Sequence, residues 1–144
     1  MNLTNNFTLE ELVFSQAAER SNGKLSNIPP RGMLNILIKT AEHMEEVRSA
    51  LDNNPIIVSS GYRSPAVNAA VGGSINSQHM KGEAVDFTCP KFGSPEDIVR
   101  KIISSNIVYD QLILEFRSWV HISFSDRNRK QALIIDRSGT RAYA

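Results

Sequence analysis

Cysteine is nearly absent from this chain: Cys89 is the only one among 144 residues. No intrachain disulfide can form, and no multi-cysteine metal cluster exists, so a disulfide-stapled secreted fold is excluded. Charge of one sign is also missing. Sixteen Lys and Arg face fifteen Asp and Glu, for a formal net charge of +1. That balance gives no basic stripe with which to hold nucleic acid. No apolar run approaches the roughly 20 residues that span a bilayer. The opening "MNLTNNFTLEEL" lacks a basic segment followed by an apolar one, so it does not read as a secretory signal peptide. Internal repeats and low-complexity linkers are absent too. What remains is ordinary for a globular chain: 41 % hydrophobic and 22 % charged residues, enough for one domain over residues 1–144 with a sizeable core.

The pattern along the chain places helices first and strands later. Thr8 and Glu11 in "TLEE" form a capping box, and a helix is predicted from there to about Arg20. "SNGKLSNIPPRG" reads as a loop. Leu34, Leu37, Ile38, Ala41, Met44, Val47 and Leu51 recur at helical spacing and predict a long helix from about Gly32 to Leu51. "PIIVSSGYR" reads as a strand running into a turn. Two short helices start with Ser then Pro, at Ser64 and Ser94. "EAVDF", "YDQLILEF" and "WVHISFS" read as strands, the last two joined tightly through Arg117 and Ser118. "KQALIIDRSGTRAYA" predicts one last strand and a mobile tail. The expected class is α+β, N-terminal helices on a small, mostly antiparallel sheet.

Strand alternation then sorts the polar residues. In "EAVDF", Val85 and Phe87 share one face, and Ala84 and Asp86 share the other. In "WVHISF", Val120, Ile122 and Phe124 share the apolar face, opposite Trp119, His121 and Ser123. His79 precedes the first of these strands by one loop, and Gly82 lets that loop turn back sharply. His79, Asp86 and His121 thus form a candidate ligand set of two imidazoles and a carboxylate. Three such ligands and an open position suit catalytic zinc. A zinc site lowers the pKa of a water to about 7 and polarises a carbonyl, and it wants a general base beside that water. Glu115 is the candidate. A three-residue connection of Phe116, Arg117 and Ser118 sets it opposite Trp119 and diagonal to His121. His43 is read as lining the surface of the long helix, Cys89 as a small buried residue, and Lys81 and Glu83 as solvated. Arg63 is either a surface charge or an anion clamp.

"SGYRSPAVNAAVGGSINSQHMKGEAVDF" followed by "WVHIS" resembles the zinc D-Ala-D-Ala carboxypeptidase family, peptidase family M15, and within it the small phage-associated branch. The matching elements are Ser77, His79, Gly82, Ala84, Asp86, Trp119 and His121. The resemblance implies zinc ligands His79, Asp86 and His121. It implies that Arg63 helps polarise the scissile carbonyl and stabilise the oxyanion, and that Ser77 and Gln78 contact substrate. The sequence departs from the pattern at Ser118, where many members carry a carboxylate three residues before the last histidine. Either Glu115 takes the role of base, as in small "EF…WVH" sequences, or catalysis is impaired.

The expected function is therefore zinc-dependent hydrolysis of peptide bonds in bacterial peptidoglycan, by a phage endolysin-like carboxypeptidase or endopeptidase. The expected partner is a stem peptide or cross-bridge, with no nucleic acid, no membrane span and a monomeric chain. Without a signal peptide, the chain is expected to be made in the cytoplasm, encoded by a phage or prophage, and to act on the wall after release. The rival reading is a catalytically weak, zinc-containing binding module of the same fold that recognises wall peptide or a protein partner.

Overall fold

The computed structural model describes residues 1–143. Helices α1 (Leu9–Val13) and α2 (Gln16–Glu19) stand where the sequence predicts a single helix to Arg20. The break falls at Phe14 and Ser15, both extended, because the Ser15 hydroxyl caps a new helix by accepting from Ala18 N–H. The long helix α3 (Met33–Ala50) follows, then strand β1 (Ile57–Ser60) and helix α4 (Pro65–Ala70). A single 3-10 turn, Gln78–Lys81, leads into β2 (Ala84–Thr88). Helix α5 (Pro95–Ser104) and strands β3 (Gln111–Glu115), β4 (Trp119–Ser123), β5 (Gln131–Asp136) and β6 (Gly139–Ala142) complete the chain.

The predicted α+β architecture is observed, with one six-stranded sheet in the order β1-β2-β4-β3-β5-β6. All neighbours are antiparallel except β3 and β5. The end of the chain differs from expectation: residues 131–142 form a hairpin added to the sheet, where one strand and a mobile tail were expected. Its parallel seam has a local cause. β4 ends beside Gln111, and the loop 124–130 steps across the start of β3 and delivers Gln131 to the other side of Gln111.

The core lies on one face of the sheet. α3 contributes Leu37, Ala41, Met44 and Val47, and α5 contributes Ile98, Val99 and Ile102. Val85, Phe87, Leu112, Leu114, Val120 and Ile122 meet them from the strands, each buried. Leu34, expected on the same stripe, is 38 % exposed, while its neighbour Met33 packs against the core. Fully burying one such side chain contributes roughly 1.5–3 kcal/mol, which is what fixes the register of each strand. The alternation then forces Asp86, Ile113, Glu115 and His121 onto the opposite face, where they line a cleft of about 770 Å³.

Candidate metal centre and cleft

The cleft is assembled from five places in the chain. His79 comes from the 3-10 turn, Asp86 from β2, His121 from β4, Glu115 from the end of β3, and Arg63 from the segment between β1 and α4. β2 and β4 pair with Asp86 directly opposite His121. The turn that carries His79 ends on Gly82 at φ +71°, a left-handed conformation that a side chain resists. A Cβ there would also stand 2.6 Å from Met33 Sδ. Gly61 plays a second part. A Cβ on it would collide with Leu12 O, so only glycine lets this segment approach α1 closely, and its carbonyl reaches His79.

One ligand atom each from His79, Asp86 and His121 lies within 4.8 Å of the others, and all three residues are buried. His79 Nε2 is 3.2 Å from Asp86 Oδ1, and His121 Nδ1 is 2.9 Å from the same oxygen. His79 Nδ1 lies 2.7 Å from Gly61 O. A carbonyl oxygen only accepts, so Nδ1 carries the proton and the lone pair of a neutral His79 faces the carboxylate. Two electron-rich atoms at that distance need a cation or a second proton between them. Metal bonds of about 2.1 Å in a tetrahedron set ligand atoms about 3.4 Å apart, close to the separations here, and two imidazoles with one carboxylate are a donor set that zinc takes. The residues fit a metal ion.

Burial would push the Asp86 carboxyl up, but when His121 and His79 carry the second proton in place of a metal, their hydrogen bonds and charge outweigh it and hold it well below the usual carboxylate range. Its second oxygen accepts from Arg63 Nη2 at 3.3 Å. Arg63 is held on two other sides, by Ser60 Oγ at 3.1 Å from Nε and Asn68 Oδ1 at 3.4 Å from Nη1. It is therefore an anchored, largely buried group in the cleft wall.

Phe116, Arg117 and Ser118 do form the connection, and Glu115 pairs with Trp119. Phe116 and Arg117 both take positive φ, 52° and 54°, which costs side-chain-bearing residues about 1–2 kcal/mol each. Glu115 Oε1 lies 4.0 Å from His121 Nδ1. Burial pushes the Glu115 carboxyl above its ordinary value and Asp86 adds to that, while His121 and Arg63 oppose it. Ser118 points elsewhere: it is exposed, with its hydroxyl donating to Phe116 O.

A family comparison agrees with this geometry. The profile described as Peptidase M15 matches residues 5–123. The chain belongs to the peptidase M15 family. Over 81 residues this M15 chain is 40 % identical to a zinc D-Ala-D-Ala carboxypeptidase of Streptomyces albus G. That match takes in 56 % of the chain and 30 % of the relative, so the chain corresponds to under a third of that protein.

Other expected positions fall in and around the same cleft. Ser77 and Gln78 line it, Ser77 Oγ accepting from His79 N–H and Gln78 Nε2 donating to Asp110 at 2.9 Å. His43 lies outside, stacked on Phe124 with ring centroids 4.5 Å apart. Cys89 is buried. Lys81 is exposed, but Glu83, expected to be solvated, is half-buried where Phe124 N–H bonds its carbonyl, and burial pushes its carboxyl up. Sequence reasoning missed Asp110, Arg127 and Arg129. Asp110 is fully buried and binds both arginines. The spacing of "RNR" just before a strand was the available signal, but its partner sits 17 and 19 residues away.

Proposed function

We propose that this chain is a zinc-dependent peptidase that hydrolyses peptide bonds of bacterial peptidoglycan, with His79, Asp86 and His121 as the zinc ligands. The observation that carries the reading is the Glu115 carboxylate, 4.0 Å from His121 beside three converging ligand atoms. Bound zinc would polarise the scissile carbonyl and bring the pKa of a water to about 7. Glu115 takes the proton from the attacking water and hands it to the leaving amine. A carboxyl raised by burial is better matched to that exchange near neutral pH than an ordinary glutamate. Arg63, anchored by Ser60 and Asn68, offers its guanidinium to the oxyanion as charge develops there. Ser77 and Gln78 are the proposed contacts to the peptide.

The finer reading is a phage-type, endolysin-like enzyme: one metallopeptidase domain, monomeric, acting on stem peptides or cross-bridges after release to the wall. The "EF" and "WVH" segments support that branch, and the carboxypeptidase name of the relative supports the substrate class. Ser118 favours the second reading, a zinc-containing binding module, because it removes a carboxylate from the position many relatives use. Digestion of purified peptidoglycan separates them. Zinc-loaded protein releases new amino groups, a chelator abolishes the release, and added zinc restores it. One zinc per chain with no amino-group release would establish the binding module instead.

A further inference from the structure

The cleft that holds the ligand triad is also lined by Arg127 and Arg129, from the loop 124–130. Both lie beyond residue 123, where the family match ends. Both bind the same carboxylate. Arg129 donates to Asp110 Oδ1 and Oδ2 at 2.9 Å each, and its backbone N–H adds a third bond at 3.0 Å. That bidentate clamp, with Lys130 N–H on Tyr109 O and Gln131 N–H on Asp110 O, is sufficient to seat the loop. Arg127 adds less to it. It reaches Asp110 Oδ2 through one bond of 3.2 Å and leaves its side chain 56 % exposed.

Two guanidiniums on one carboxylate leave an uncancelled positive charge. Glu83, the other carboxylate that senses Arg127, makes no ion pair with it among the described residues. Of five N–H donors on each guanidinium, Arg127 engages one and Arg129 two with protein acceptors. The rest have no protein acceptor among the described residues and can take a planar anion, the geometry at which arginine excels. The loop holds this arrangement despite positive φ at Asn128 and Lys130, 43° and 52°, on either side of Arg129. Asp110 also accepts from Gln78, the residue before His79, so the arginine pair is tied to the turn that carries a proposed ligand.

We propose that Arg127 and Arg129 form an anion subsite that takes a carboxylate of the substrate peptide, set apart from the bond that is cut. The proposal rests on the peptide-hydrolase reading of the cleft. Arg127 is the specificity-determining residue, and Arg129 positions it by fixing the loop on Asp110.

The test uses purified wall stem peptide in two forms, native and with its free carboxylates chemically amidated. Binding to the zinc-loaded Glu115→Gln protein is measured by calorimetry, so turnover is not required. The native peptide should bind at least tenfold more tightly than the amidated one. Adding Arg127→Gln should reduce that preference to threefold or less, with zinc content and thermal midpoint unchanged. A preference that survives Arg127→Gln at tenfold, or equal binding of both forms to the parent protein, overturns the subsite. Amino-group release by the wild-type protein on the same peptides is read in parallel. Turnover without a carboxylate preference removes the subsite and leaves the peptidase. A preference lost with Arg127 but no turnover removes the peptidase and leaves the subsite.

Discussion

Asp86 and Asp110 are two buried carboxylates whose partners line one cleft, and both are held well below the usual carboxylate range. The means differ. Asp110 is held down first by hydrogen bonds from Arg129, against the opposing effect of burial. Its arginine partners carry permanent charge, so the carboxylate, though not every guanidinium donor, is satisfied as it stands. At Asp86, burial opposes ionisation most strongly, and hydrogen bonds and charge from two imidazoles outweigh it. Imidazole nitrogens can be metal ligands, and theirs lie with one carboxylate oxygen within 4.8 Å of one another. The chemistry of the partners decides what a buried carboxylate is for: guanidiniums complete a clamp, whereas imidazoles leave a place for a cation.

The largest effect is expected from opening the Asp86 end. His121→Ala removes one of three proposed ligands, so zinc content should fall below one-tenth per chain, and peptide hydrolysis about a thousandfold. Metal analysis and amino-group release check this. Next is Arg63→Gln, which removes the proposed donor to the oxyanion. It should lower kcat by about a hundredfold with zinc retained; a change confined to KM would show that Arg63 only binds substrate.

Breaking the Asp110 end should act on stability instead. Arg129→Met strips a fully buried carboxylate of its bidentate partner and should cost about 3 kcal/mol, the lower end of the range for a broken buried pair, because Arg127 remains. A depressed folded pKa gives stability that is present above the unfolded value of about 4 and is lost as pH falls toward the folded one. In metal-free protein, the wild-type advantage in thermal midpoint over Arg129→Met should be full at pH 7 and shrink by pH 3. The smallest effect concerns Glu115, whose folded pKa is raised. Its sign is opposite: stability is lost as pH rises through the folded value. Metal-free Glu115→Gln should therefore melt about 2 °C above wild type at pH 7 and level with it at pH 4.

The same contrast explains what the sequence could reveal. Asp86 and His121 were legible because strand alternation assigns faces, and Val85, Phe87, Val120 and Ile122 fix which face is core. The three-residue turn set Glu115 opposite Trp119 by counting alone. Arg63 stayed ambiguous because its anchors, Ser60 and Asn68, are ordinary polar residues until the segment folds back. The β5–β6 hairpin was not legible. Its parallel seam with β3 depends on a loop tied down by Asp110, and no local periodicity reports a clamp between a strand entrance and a distant loop. Likewise, the break at Ser15 was visible only as a serine within a helical stretch, which a capped second helix and a continuous one share.

The proposed hydrolysis requires Glu115 to act beside a bound metal, and one paired measurement tests that directly: zinc stoichiometry and amino-group release from purified peptidoglycan, for wild type and Glu115→Gln. We predict one zinc per chain in both proteins, with release by the variant reduced by about a hundredfold or more. Release by Glu115→Gln at near the wild-type rate would contradict the assignment of Glu115 as the base.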